Sequence, residues 1–254
     1  MSLEIKKFDF KTMPDASVIL VVAKRNSGKS FLIREILYQK KHIPYGLVCS
    51  ATEVGNGFYG NFIPGVFIYS EFDEAAVQRL VDRQLKLAKR GQADPVYIVL
   101  DDLMYDKRFL SNKLIRFLFM NGRHALITLI VSSQYIIDLP PGIRANIDYV
   151  FSLRENMHRE RLWKNIFQVF PSFEQFNAVM DAVTADYGAL VFNNNASGNS
   201  IQDTVFHYKA KARNFKMGSP MAWKFSEKKF DRDWDDRQPV IPGKKTQGIR
   251  VVKK

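Results

Sequence analysis

At 254 residues with 46% apolar side chains, the chain is long enough for one α/β domain with a substantial core. A single cysteine, Cys49, excludes a disulfide framework and a cysteine-rich zinc site, and the four histidines (His42, His124, His158, His207) lack metal-ligand spacing. Net charge is +12, and residues 205–254 hold 14 Lys and Arg against 5 Asp and Glu, a concentration that favours a polyanionic partner, nucleic acid phosphate first, over a merely solubilising tail.

The first residues, Met1 to Lys7, contain no apolar signal-peptide core. Apolar runs reach only about six or seven residues, against the ~20 of a membrane helix, so no transmembrane segment is expected. Residues 18–22, Val-Ile-Leu-Val-Val, predict a short buried strand. It runs into Ala23, Lys24, Arg25, Asn26, Ser27, Gly28, Lys29 and Ser30, and a helix opens at Phe31. A strand, a loop ending Gly-Lys-Ser and a helix make a triphosphate cradle. Backbone N–H groups and the helix N-terminus face the phosphates, the lysine reaches the β/γ oxygens, and the Ser30 hydroxyl takes Mg²⁺. The formal pattern asks for glycine where Ala23 stands. Alanine serves there if its φ stays negative, whereas Gly28 must let the backbone approach phosphate. In the helix, Phe31, Leu32, Ile36 and Leu37 share one side and Arg34, Glu35 and Gln39 point away.

A strand over 46–50 follows, then a glycine-rich loop (Gly55 to Gly65), a strand at 66–69, and a helix capped by Asp73 and ended at Gly91. Residues 96–100 form an apolar strand closing on Asp101 and Asp102. Adjacent carboxylates after a buried strand repel each other unless a cation or water shares the site. Asp101 is read as the Mg²⁺ ligand and Asp102 as the group that orients or deprotonates water, against the alternative that the pair caps a helix near 109–121. The apolar run 125–131 predicts another buried parallel strand, leading to Gln134. That amide either senses the γ-phosphate through a water or belongs to an ordinary strand-end turn. A strand at 148–153, helices over 158–185 broken at Pro171, and a hairpin of 187–193 with 204–208 around the loop 194–202 complete the pattern. The βαβ alternation predicts a mostly parallel sheet with helices on both faces. The ATPase domain is expected over 1–232, with the hairpin about 187–210, and residues 233–254 read as a basic, disordered tail.

Together these segments resemble the packaging ATPases of large double-stranded DNA viruses, the poxvirus-type branch of the FtsK/HerA P-loop superfamily. The resemblance is carried by residues 23–30, by Val-Leu-Asp-Asp-Leu (99–103), by Asn-Gly-Arg-His (121–124) leading to Val-Ser-Ser-Gln (131–134), and by Leu-Pro-Pro-Gly-Ile-Arg-Ala-Asn-Ile-Asp-Tyr-Val-Phe (139–151). A weaker match runs from Tyr208 to Gly218, and coverage is about residues 15–220. The resemblance implies a RecA/FtsK-like fold, ATP and Mg²⁺ as cofactors, and a homo-oligomeric ring, pentamer or hexamer. It implies sequence-independent translocation of double-stranded DNA into a preformed capsid, contact with capsid or membrane-associated virion components, and a place in the virion or at the assembly site in host cytoplasm. It also implies that Arg123, or secondly Arg144, is offered across the subunit interface to a neighbour's γ-phosphate, where a guanidinium stabilises transition-state charge. Two other classes share the loop: a nucleoside-kinase-type phosphotransferase, and a nucleotide-binding virion scaffold that does not hydrolyse.

Overall fold

A computed structural model of the chain describes residues 3–103, 109–134 and 139–230. In chain order the elements are β1 (Lys6–Lys7), β2 (Val18–Val22), α1 (Lys29–Gln39), β3 (Tyr45–Ser50), α2 (Glu53–Asn56), β4 (Ile68–Tyr69), α3 (Glu74–Ala88), β5 (Val96–Asp101) and α4 (Lys113–Asn121). There follow β6 (Ile127–Ser133), α5 (Pro141–Arg144), β7 (Tyr149–Ser152), α6 (Arg159–Asn165), α7 (Phe173–Val183), β8 (Gly188–Asn193), α8 (Ile201–Thr204), β9 (Val205–Lys209) and α9 (Pro220–Lys229).

The strands form one sheet in the order β1-β9-β8-β7-β2-β6-β5-β3-β4. From β7 to β4 every neighbouring pair is parallel, while β8 runs antiparallel to both β7 and β9. The predicted α/β architecture and the hairpin are therefore present. Strand β2 is buried at every position because each face of the sheet carries its own core. Val18, Leu20 and Val22 pack toward α3, α4 and α7, and Ile19 and Val21 toward α1 and the aromatic turn at 59–63. Register pairs Val22 with Ser133 on one side and Ser152 on the other, so the strands end level and their carboxyl termini form one edge.

Several boundaries differ from the sequence expectation. Strand β6 begins two residues late because Leu126 adopts a left-handed backbone (φ 53), and it runs on through Ser132 and Ser133, whose neighbours in β2 continue the ladder. The helix expected from 109 begins at Lys113. Its cap is Asn112, whose side chain accepts from the N–H groups of Leu114 and Ile115, so Asp101 and Asp102 do not cap it. In α1, Phe31 is exposed and Glu35 fully buried, the reverse of the expected pattern. The C-terminal segment covers that side of the helix: Tyr208 Oη donates to Glu35 at 2.7 Å and the Arg213 guanidinium pairs with it at 3.1 Å. Strand β1, two exposed lysines paired with β9, and helix α9, capped by Ser219, carry no signal used in the sequence reading. Residues 233–254, expected as a tail, lie outside the described residues.

Candidate active site

At the carboxyl edge, β2 passes into the loop without a break: the Ala23 N–H donates to Ser133 O at 3.0 Å. Ala23 is buried and has negative φ, so alanine satisfies a position that glycine often fills. Left-handed backbone in the loop falls instead on Asn26 (φ 59) and Gly28 (φ 93). Asparagine tolerates that region, and a glycine adopts it without cost. Lys24, Arg25 and Asn26 are exposed, and Ser27 Oγ closes the turn by donating to Lys24 O at 2.7 Å. Gly28 O accepts the first helical hydrogen bond, from Leu32 N–H. The N–H groups of Lys29, Ser30 and Phe31 therefore head α1, where a helix has no internal partners for them and an anion does best.

Lys29, only 9% exposed, reaches across to the end of β5. Its Nζ lies 3.4 Å from Asp101 Oδ1 and makes a close ion pair with Asp102 Oδ2. Asp101 is 1% exposed and richly partnered: Ser132 Oγ donates to Oδ1 at 2.6 Å, while Tyr59 Oη and Ser50 Oγ donate to Oδ2 at 2.9 and 3.5 Å. Asp102 is partly exposed, with φ 56, and its backbone N–H donates to Ser132 Oγ at 3.0 Å. The left-handed turn separates the two side chains. One is anchored in the sheet, and the other faces Lys29 and Gln134, whose Nε2 donates to Asp102 Oδ1 at 3.4 Å. The repulsion expected of adjacent acids is answered by the single ammonium between them.

Tyr59 was not legible as a site residue. It lies in the glycine-rich loop after α2, where Glu53 holds it by accepting from the N–H groups of Tyr59 and Gly60 at 2.9 and 2.8 Å. Burial, and then the Asp101 charge, push its phenol well above the ordinary tyrosine range, so it stays a proton donor to Asp101. The only available cue was an aromatic triplet, Phe58, Tyr59 and Phe62, in a segment otherwise read as loop.

Lys29, Asp101, Asp102 and Gln134 thus meet at one point, beside Ser30 and the loop 23–31. Arg123 and Arg144 do not. Both precede their strands, toward the opposite edge, and the length of β6 puts about 20 Å between Arg123 and the cradle. Arg123 Nη2 is 3.5 Å from Asp148 Oδ1 with its side chain 42% exposed, and Arg144 Nη1 donates to Leu139 O at 2.7 Å. The donor set suits a magnesium nucleotide. A helix N-terminus, a glycine cradle and an ammonium meet phosphate, and a serine hydroxyl with a carboxylate supplies the hard oxygens magnesium prefers.

Sequence relatives come from viruses. Uncharacterized protein 088R of Invertebrate iridescent virus 3 is 40% identical over 202 residues, 78% of this chain and 77% of its own. Uncharacterized protein L437 of Acanthamoeba polyphaga mimivirus is 33% identical over 91% of this chain and 87% of its own, and 075L of Invertebrate iridescent virus 6 is 36% identical over 86% and 88%. The chain belongs to this viral protein family. No protein-family model matches it. Among solved structures, the DNA-packaging ATPase B204 of Sulfolobus Turreted Icosahedral Virus superposes with a TM-score of 0.56 at 17% identity, over 79% of this chain and all of that one. B204 of Sulfolobus turreted icosahedral virus 2, in complex with AMP, gives 0.55 at 18% over the same shares. The pCW3 conjugation coupling protein TcpA, with ATPgS, gives 0.53 at 16%, over 76% and 60%. The chain therefore shares its fold with these solved structures.

Proposed function

We propose that the protein is a Mg²⁺-dependent ATPase motor that moves double-stranded DNA into a preformed viral capsid. The observation that carries this reading is the Lys29 ammonium held over Asp101 and Asp102 at the mouth of the Gly28 loop. Lys29 and the N–H groups heading α1 bind the β- and γ-phosphates, and residues 23–31 wrap them. Ser30 and Asp101 hold the metal, Tyr59 and Ser132 orient Asp101, Asp102 takes the proton of the attacking water, and Gln134 reports the γ-phosphate to Asp102. Magnesium, when bound, offsets phosphate charge and so lowers the barrier to transfer.

Arg123 and Arg144 are too far from their own cradle to act there, and an exposed guanidinium at the opposite edge suits service to a neighbouring subunit in a ring, pentameric or hexameric. Arg123 is the first choice and Arg144 the second. The ATPase unit spans 1–232, and the basic residues of 205–254, tail 233–254 included, supply charge for a DNA backbone gripped without base readout. The viral relatives and the fold shared with the DNA-packaging ATPase B204 support a role in packaging, at the assembly site or in the virion with its capsid or membrane components.

The test is phosphate release with and without double-stranded DNA, alongside phosphoryl transfer to nucleosides. DNA-stimulated release that Lys29→Ala abolishes is the expected result. Release that survives Lys29→Ala, or transfer to nucleosides without DNA stimulation, contradicts it.

A further inference from the structure

We infer that Tyr187 is the platform on which the base of the bound nucleotide stacks, a deduction that rests on the ATPase reading above. Tyr187 stands directly before β8, whose first residues run beside the carboxyl end of β7 (Leu190 opposite Ser152), so it sits at the edge that carries the phosphate loop. It touches that loop: a Cβ built on Gly28 would lie 3.2 Å from Tyr187 Cδ1. Tyr187 is nonetheless 65% exposed.

Its backbone is held against preference. Tyr187 has φ 61 and Asp186 before it φ 50, both left-handed, a conformation that costs a non-glycine residue of this size on the order of 1 kcal/mol or more. The next residue locks the turn, since any side chain on Gly188 would meet Val183 O at 2.0 Å. Asp186 is tied down by Lys209. An exposed aromatic kept at a strained position against a phosphate cradle has no packing reason to be there.

The flank is the right one. Asp101, Asp102 and Gln134 come from β5 and β6, on one side of β2, while Tyr187 comes from the β7/β8 side. A triphosphate whose terminal phosphate meets the acids must send its nucleoside toward the other flank. Met157, 85% exposed, follows β7 at the same edge, and Phe31, 38% exposed, lies in the first turn of α1. Three of the six large exposed apolar side chains among the described residues thus stand at this one edge, which suits a flat aromatic ligand.

Binding of Mg·ATP and of inorganic tripolyphosphate, which has phosphates but no base, to the full chain separates the base from the cradle. Tyr187→Gly removes the ring and relaxes the positive φ, and Tyr187→Phe keeps the ring. Stacking on an aromatic side chain predicts about a 5- to 100-fold loss of ATP affinity in Tyr187→Gly, tripolyphosphate within about twofold of wild type, and near-normal ATP binding in Tyr187→Phe. Unchanged ATP affinity in Tyr187→Gly, or equal loss of both ligands, overturns the platform and leaves the ATPase reading standing. Failure of the wild-type chain to bind either ligand overturns both.

Discussion

Asp101 shows how much of this site lives in hydrogen bonds rather than in motif letters. Its carboxylate accepts hydrogen bonds from Ser132 and Tyr59 while the Lys29 ammonium stands 3.4 Å off, so its direction is set before any ligand arrives. A hydrogen bond to a charged group contributes about 1.5–3 kcal/mol. Tyr59→Phe should lower the unfolding free energy in urea by that amount and slow ATP turnover about tenfold with little change in KM; unchanged turnover would remove Tyr59 from the site. Glu35, in α1, is another buried acid. Burial pushes its carboxyl up, but hydrogen bonds from Tyr208, Arg213 and Gln39 outweigh that, and the net shift is down. A depressed carboxylate stabilises the fold above its unfolded pKa, about 4.3, and that contribution disappears as pH falls through the lower folded value. Stability measured from pH 7 downward should therefore fall less steeply at the acid end in Glu35→Gln than in wild type. Glu35→Ala, which strands the Tyr208 hydroxyl, should cost about 1–3 kcal/mol at neutral pH in the same urea titrations.

At the scale of elements, what could be read from sequence was what burial on both faces writes into it. Strand β2 is an unbroken apolar run, β5 is apolar up to Asp101 and β6 is apolar but for Thr128, Ser132 and Ser133, and the loop from Ala23 to Ser30 sits where such a strand meets a helix. Helix α3 also announced itself at its start, where the Asp73 side chain accepts from Ala76 N–H, whereas the Asn112 cap of α4 was not read. Illegible were features made by partners remote in sequence. Glu35 looks like a surface residue until Arg213 and Tyr208 fold over it, and Tyr59 looks like loop until Asp101 is beside it. Strand β1 has two exposed lysines and no periodicity at all. The order of strands, with β6 inserted between the loop strand and the acid strand, depends on pairing that no local pattern encodes, and it is this insertion that brings Gln134 and Ser132 to the acids. Close approach of β3 to β5 gives a test at this scale. A Cβ on Gly46 would meet the Tyr97 carbonyl oxygen at 2.2 Å, so Gly46→Ala should destabilise by about 3 kcal/mol or more, seen as a lowered melting temperature. A melt equal to wild type would mean that the two strands part easily.

For the whole molecule, the cradle and the exposed Arg123 lie at opposite edges of one sheet, and the proposal that Arg123 serves a neighbouring subunit can be tested directly. Mixing Arg123→Ala chains, whose cradle is intact, with Lys29→Ala chains, whose arginine is intact, should restore part of the DNA-stimulated hydrolysis that each lacks alone; no recovery would argue against service in trans. Separation of charge from chemistry likewise predicts that DNA stimulation weakens steeply with salt, by roughly 0.9 in log–log slope per phosphate neutralised, while nucleotide binding without DNA changes little. The proposed hydrolysis turns on Asp102 acting on water rather than merely pairing with Lys29. Asparagine keeps the left-handed backbone and the size of Asp102 but cannot take a proton. With the full chain and double-stranded DNA, Asp102→Asn should bind ATP within about threefold of wild type and release phosphate about 10² to 10⁴ times more slowly. Phosphate release within tenfold of wild type would contradict it.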